Sequence, residues 1–120
     1  MSVTPDLTVA HLHDHMPAVY GTPMMVYLME VASAQAIQAY QPNGWVSVGI
    51  VVNIKHLAAT PVGFTVRAKA TVTSVTDKTV TFQVEAYDDH EKIGEGVHVR
   101  APVDMTRFNQ RVEEKAAIRR

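Results

Sequence analysis

Glu30 is the only Asp, Glu, Lys or Arg between Asp14 and Lys55, and it lies inside VYGTPMMVYLMEVASAQAIQAY (19–40), the most apolar stretch of the chain. An unpaired carboxylate in such surroundings costs several kcal/mol, or its pKa rises until it is neutral. Its bland explanation is a structural Glu held by hydrogen bonds or facing water. Its chemical explanation is a general base or nucleophile in a dry cleft.

Two further polar residues break the pattern around it. His56 ends the run Val46, Val48, Ile50, Val52, Ile54, whose even positions form one apolar strand face. An imidazole and a carboxylate are thus expected to face each other from elements that pack together, which is how sites make acids and bases. Thr22 stands where a helix begins, at the expected N-cap position, with Pro23 in the first turn. Thr22, Val26 and Glu30 share one helical face, with the carboxylate about 12 Å beyond the hydroxyl at 1.5 Å per residue. A hydroxyl and free N–H groups at a helix start can meet developing negative charge.

The elements that must hold these groups follow from the periodicity. Between Thr22 and the stop QPNGW (41–45), the residues are apolar nearly all round, which predicts one long buried helix. After Gly44 the period changes to two. Val46–His56, Phe64–Thr73, Val80–Ala86 and Ile93–Val103 predict four strands, each with one buried face. In the last of these Val97, Val99, Ala101 and Val103 form the apolar set, and His98 and Arg100 the solvent set. The short links TDK (76–78) and DDHEK (88–92) predict hairpins and an antiparallel meander. Gly94 and Gly96 predict a bulge or strong curvature. A short strand is expected around Leu7–Ala10. Residues 1–106 are expected to form a single domain and 107–120 a short tail, whose Phe108 and Val112 fit a small amphipathic helix. The expected architecture is α+β, a curved antiparallel sheet around a long central helix. One sheet of this size cannot cover such a helix, so at least a dimer is expected.

Composition narrows the function classes. With 120 residues and a net charge of −1, the chain suits one core and offers no basic stripe for nucleic acid. It has no cysteine, so disulfides, thiolate metal sites and a Cys nucleophile are excluded, and a cytoplasmic setting is expected. The N-terminus lacks the pattern of a signal peptide. Gln35, Gln38, Gln41, Pro42, Asn43 and Gly44 interrupt the uncharged run 31–54, so no membrane span is expected. His11, His13 and His15 alternate as strand zinc ligands could, but no HExxH or further ligand pattern accompanies them, and no metal site is expected.

VYGTP (19–23), YLMEVA (27–32) and KHLAATPVG (55–63), together with the period-two strands through VEAYDD and GEGVHVR, are similar to hotdog-fold acyl-CoA thioesterases, specifically the fluoroacetyl-CoA thioesterase-like branch. The resemblance covers nearly the whole chain. It implies a hotdog fold, pairing into a homodimer or a dimer of dimers, and sites at the subunit interface. It also implies that Thr22, Glu30 and His56 are catalytic and that Gly49 lies near the thioester carbonyl. The substrate would be a small or medium acyl-CoA, with coenzyme A part of the substrate and no separate cofactor. HLHDHMPA (11–18) has no Phe or Tyr to act as an aromatic gate, so fluoroacetyl specificity is not carried over. Glu30 could activate water or attack the carbonyl itself. Two alternatives stand beside this: a hotdog dehydratase or hydratase using His15 with Glu30, and a non-catalytic acyl-CoA-binding module.

Overall fold

The computed structural model describes residues 1–13 and 15–119, with Leu12 described by its backbone alone; Asp14 and the last tail residue, Arg120, lie outside the described residues. After a 3-10 turn at Pro5–Leu7 come α1 (Val9–Leu12), α2 (Thr22–Gln38), β1 (Trp45–His56), β2 (Arg67–Val75), β3 (Val80–Tyr87), β4 (Lys92–Asp104) and α3 (Met105–Ile118). The strands form one antiparallel sheet in the order β1-β4-β3-β2.

Local chemistry explains most boundaries. Pro42 stops α2, and Gly44 turns the chain at φ 84°, a conformation open to glycine because it has no Cβ. Thr76 and Thr79 close the β2–β3 hairpin, and Asp88 and Glu91 close the β3–β4 hairpin. No strand forms at Leu7–Ala10. Thr8 instead caps α1, its hydroxyl accepting from the His11 N–H, because a Thr ahead of a short helical run satisfies an otherwise free donor. The meander is also only partial. β2, β3 and β4 follow one another across the sheet, but β1 pairs with β4 rather than β2, reached through the loop 57–66.

The core lies where α2 crosses the sheet. Met25, Met29, Ser33 and Ile37, spaced four apart, are its buried row. Val80, Phe82, Val84 and Ala86 of β3 are all buried beneath it, flanked on β2 by Val72, Ala70 and Ala68. β4 meets the helix at Gly94, where a Cβ would stand 2.5 Å from Met25 Sδ; the glycine lets helix and strand touch.

Two strand faces differ from the sequence expectation. On β4 the inward residues pair with the buried β3 set: Gly94 with Ala86, Gly96 with Val84, His98 with Phe82 and Arg100 with Val80. His98 and Arg100 are buried, whereas Val97 is exposed. The apolar valines therefore lie on the outer face. On β1 the register shifts between Gly49 and Val51. Ser47 and Gly49 oppose Pro102 and Arg100 before the shift, and Val52, Ile54 and His56 oppose His98, Gly96 and Gly94 after it. One extra residue changes the parity of the strand. Val46 and Val48 thus face outward, while His56 faces the helix, as expected.

The sheet leaves much of α2 uncovered. Tyr27 is 60% exposed, and β1 is an edge strand with Ile50, Val51 and Val52 exposed. α3 packs against β4, its first N–H donating to the Gly44 carbonyl, and buries no residue, leaving Met105, Phe108 and Val112 open. Among the described residues no helix is long and apolar enough to cross a membrane.

Candidate active site

Gly21, not Thr22, occupies the cap of α2; Thr22 is the first helical residue, and no side chain caps the helix. The Thr22 hydroxyl is therefore free for another partner. It lies 2.7 Å from His56 Nδ1, a hydrogen bond that the neutral ring accepts in one tautomer and donates in the other. His56 is the last residue of β1. Immediately beyond it the Leu57 and Ala58 N–H groups donate to the Ile93 carbonyl, which turns the chain and fixes the ring against the start of α2. Burial lowers the His56 pKa, with the Ala58 backbone pulling the other way, so the ring is held toward its neutral form. Its Nε2 is buried and has no protein partner.

Thr22 and His56 line a cleft of about 330 Å³ whose other walls include Val9, Val19, Tyr20 and Ala58. The arrangement pairs a hydroxyl with a neutral imidazole in a mostly apolar cleft, which suits proton transfer at a bound carbonyl.

Glu30 lies two helical turns further on, and among the described residues it makes no hydrogen bond or ion pair with Thr22 or His56. Its neighbours come from β1 and β4. Its Oε2 is 3.7 Å from Arg100 Nη1, and a Cβ on Gly49 would stand 3.1 Å from Oε2. Gly49 thus lies against the carboxylate where a side chain would crowd it. The Glu30 side chain is 39% exposed and that of Arg100 9%.

Arg100 and His98 were not anticipated as site residues. Arg100 donates from Nε to Ser47 Oγ and from Nη2 to the Ser47 carbonyl, both at 2.8 Å. His98 Nδ1 donates to the Val51 carbonyl at 2.8 Å, which leaves Nε2 free to accept from Arg100 Nη1 at 3.1 Å. The His98 ring also stacks on Phe82. Burial lowers the Arg100 pKa and the Glu30 charge opposes that shift, so the carboxylate helps keep this cation charged. A sequence signal was available. His98 and Arg100 share their parity with Gly94 and Gly96, and two glycines on one strand face indicate that something packs closely there.

A second polar pair supports the cleft from behind. Asp88 is buried and accepts from the Thr60 hydroxyl and from the His90 and Glu91 N–H groups, each at 2.8 Å. Thr60 in turn accepts, through its carbonyl, from the Tyr20 N–H. This ties the loop after His56 to the β3–β4 hairpin.

The N-terminal histidines do not join the site. His11 lies in α1, His13 ends it, and His15 adopts φ 68°, so their alternation places them on no common strand face. Among the described residues no three His, Cys, Asp or Glu side chains gather to hold a metal. His15, the basis of the dehydratase alternative, is exposed and is not a cleft-lining residue.

The fluoroacetyl-CoA thioesterase of Streptantibioticus cattleyicolor is 37% identical over 119 residues, spanning 94% of this chain and 86% of its own. The solved structure of the fluoroacetyl-CoA thioesterase FlK superposes with a TM-score of 0.91 at 36% identity, over 96% of this chain and 90% of that one. A Thermus thermophilus member of the thioesterase superfamily superposes with a TM-score of 0.88 at 29% identity, over 98% and 90%. These likenesses agree with the helix-in-sheet architecture described above, the hotdog fold. The model of the family described as FlK, fluoroacetyl-CoA-specific thioesterase, matches residues 3–106, and this chain belongs to that family.

Proposed function

We propose that the chain hydrolyses the thioester of a small or medium acyl-CoA, with Glu30 as general base or nucleophile and His56 and Thr22 assisting. Family membership makes it a thioester hydrolase; the residue roles are our reading. The observation that carries it is the Thr22–His56 hydrogen bond at an apolar cleft, with a carboxylate further along the same helix.

In this reading the substrate carbonyl lies between the two groups. Glu30 removes a proton from water, the water oxygen adds to the carbonyl carbon, and the tetrahedral intermediate expels the thiolate as the C–S bond breaks. The proton taken up by Glu30 passes to the thiolate sulfur through water and the His56 ring, which accepts one proton as it gives one up. Alternatively a Glu30 oxygen adds to the carbonyl carbon and the thiolate is expelled as the C–S bond breaks, giving a mixed anhydride that water opens to the free acid and the Glu30 carboxylate. The Thr22 hydroxyl and backbone N–H orient the acyl group or hold the developing oxyanion, and Gly49 leaves room beside Glu30. Coenzyme A enters as part of the substrate, so the step calls for no separate cofactor.

The same reading includes a homodimer or dimer of dimers, supported by the uncovered sides of α2 and the apolar edge strand β1. A second subunit would dry the surroundings of Glu30, which raises the effect of every nearby charge. We place the enzyme in the cytoplasm on the cysteine-free sequence.

The test is Glu30→Gln, assayed by thiol release from acetyl-CoA and longer acyl-CoAs. A loss of about 10²–10⁴-fold in kcat with the fold retained is expected. Wild-type turnover in this variant would end the assignment.

A further inference from the structure

Asp88 is a buried carboxylate that the proposed chemistry does not use, and among the described residues it forms no ion pair. Its two oxygens serve different parts of the fold. Oδ1 accepts from the His90 and Glu91 N–H groups at 2.8 Å each, which closes the turn between β3 and β4. A turn of this kind asks for one side-chain acceptor, which Asn supplies as well as Asp. Oδ2 is therefore spare to the hairpin. It accepts instead from the Thr60 hydroxyl at 2.8 Å, 28 residues away in sequence. Both residues are buried, so parting them would leave a polar group without water or partner.

Thr60 belongs to the loop that His56 leads into, and its carbonyl accepts from the Tyr20 N–H at 2.8 Å, just ahead of Thr22. Pro61 bridges to Val19 beside it. On its other side the same loop is held to β4 by the Leu57 and Ala58 N–H groups on the Ile93 carbonyl. The loop thus joins the segment entering α2 to the β3–β4 hairpin. Thr22 and His56, 34 residues apart, approach to 2.7 Å across this joint. Thr22 is exposed, and water competes for its hydroxyl, so that bond alone holds its geometry weakly. The buried Asp88–Thr60 bond is the firmer constraint.

We infer that Asp88, acting through the Thr60 hydroxyl, is a positioning residue that sets the Thr22 hydroxyl against the His56 ring for the thioester reaction. The inference rests on the reading of Thr22 and His56 as the assisting pair. Neither Asp88 nor Thr60 lines the cleft, and neither is assigned a bond to the reacting atoms. Because the effect passes through the geometry of the pair, its loss falls on kcat rather than on KM, and it vanishes once the pair is already broken.

The experiment measures kcat and KM for acetyl-CoA hydrolysis in Thr60→Val, Thr60→Ser, Thr22→Val and the double variant of Thr60→Val with Thr22→Val, with folding followed by circular dichroism. Thr60→Val keeps the carbonyl bond to Tyr20 but leaves Asp88 Oδ2 unpaired. A loss of about 10-fold in kcat with KM within about threefold is expected, the scale of a slightly misplaced catalytic group. Thr60→Ser restores the donor, and kcat within about twofold of wild type is expected. In the double variant kcat is expected to fall less than about twofold below that of Thr22→Val alone. Asp88→Asn keeps an acceptor for the turn but sets a neutral amide against Thr60. Its expected loss of about threefold in kcat keeps the question open to test if Thr60→Val does not fold. Wild-type kcat in Thr60→Val or Asp88→Asn, a loss confined to KM, no recovery in the Ser variant, or the full 10-fold loss repeated in the double variant would overturn the inference. Wild-type activity in Thr22→Val would instead remove the underlying reading of the pair. A weakened Thr22→Val beside a fully active Thr60→Val would remove only the positioning role.

Discussion

Replacing Gly49 with alanine tests the geometry around the carboxylate with one methyl group. The added Cβ would stand 3.1 Å from Glu30 Oε2, 3.1 Å from His98 Cε1 and 3.5 Å from Arg100 Nη1. Unstrained carbon contacts are about 3.5–4.0 Å, so the two nearest neighbours must retreat by roughly 0.4 Å or more. His98 has little freedom, being stacked on Phe82 and bonded to the Val51 carbonyl. Arg100 is held by Ser47. Glu30 is the most exposed of the three and, among the described residues, makes no hydrogen bond to resist movement, so the displacement falls on the carboxylate. Overpacking of this kind costs about 1–3 kcal/mol, which lowers Tm by roughly 4 °C per kcal/mol in a domain of this size. The catalytic loss is larger in proportion, about 10–100-fold in kcat, because a small misplacement of a reacting group is felt exponentially. Thiol release from acetyl-CoA measures the first quantity and thermal unfolding the second. A Gly49→Ala protein with wild-type kcat and wild-type Tm would refute the proposed packing of Glu30 against β1.

Three other outcomes follow from the same geometry. Thr22→Ser keeps the hydroxyl on His56 and is expected to retain most activity. Thr22→Val is expected to lose about 10²-fold, with Tm little changed because Gly21 rather than Thr22 caps the helix; equal activity in both variants counts against a role for the hydroxyl. Burial lowers the His56 pKa below its ordinary 6.5, so the neutral ring persists as pH falls past that value, and the limb of kcat/KM lost on His56→Gln should lie below pH 6.5. A limb above 6.5 would contradict this. Burial raises the Asp88 pKa, but hydrogen bonds from Glu91, His90 and Thr60 outweigh it, and the net shift is downward from 3.8. A depressed folded-state value stabilises the protein at pH above 3.8, and this contribution is lost as pH falls through the folded-state value. Asp88→Asn should therefore cost about 2 kcal/mol at neutral pH and flatten the acid side of a denaturant-measured stability curve; an unchanged curve would show that Asp88 is not the group.

The long apolar helix and its end at Pro42-Asn43-Gly44 were legible because a long apolar run opened by Thr22-Pro23 and followed by a helix breaker admits few other readings. The strand β3 was legible for a similar reason: Val80, Phe82, Val84 and Ala86 alternate with polar residues, so one face had to be the core. Glu30 and His56 stood out as polar residues in apolar patterns; the structure sets His56 beside Thr22 and Glu30 beside Gly49 and Arg100.

Alternation shows that a strand has two faces, but not which one meets the helix. On β4 both faces could pass as the inner one. The valines looked like core, yet Gly94 on the other face is the residue that lets α2 approach, and His98 and Arg100 share that face. The bulge in β1 was invisible because no residue type demands it there; it appears only when β1 pairs with β4 and the register has to shift. Thr22 looked like a cap because cap residues and first-turn residues have similar types, and only the position of His56 decided which the hydroxyl would serve. The sequence by itself determined the elements and the oddity of Glu30. The tertiary structure alone decided which cation stands beside that carboxylate, because sheet pairing and the distance from helix to sheet are non-local.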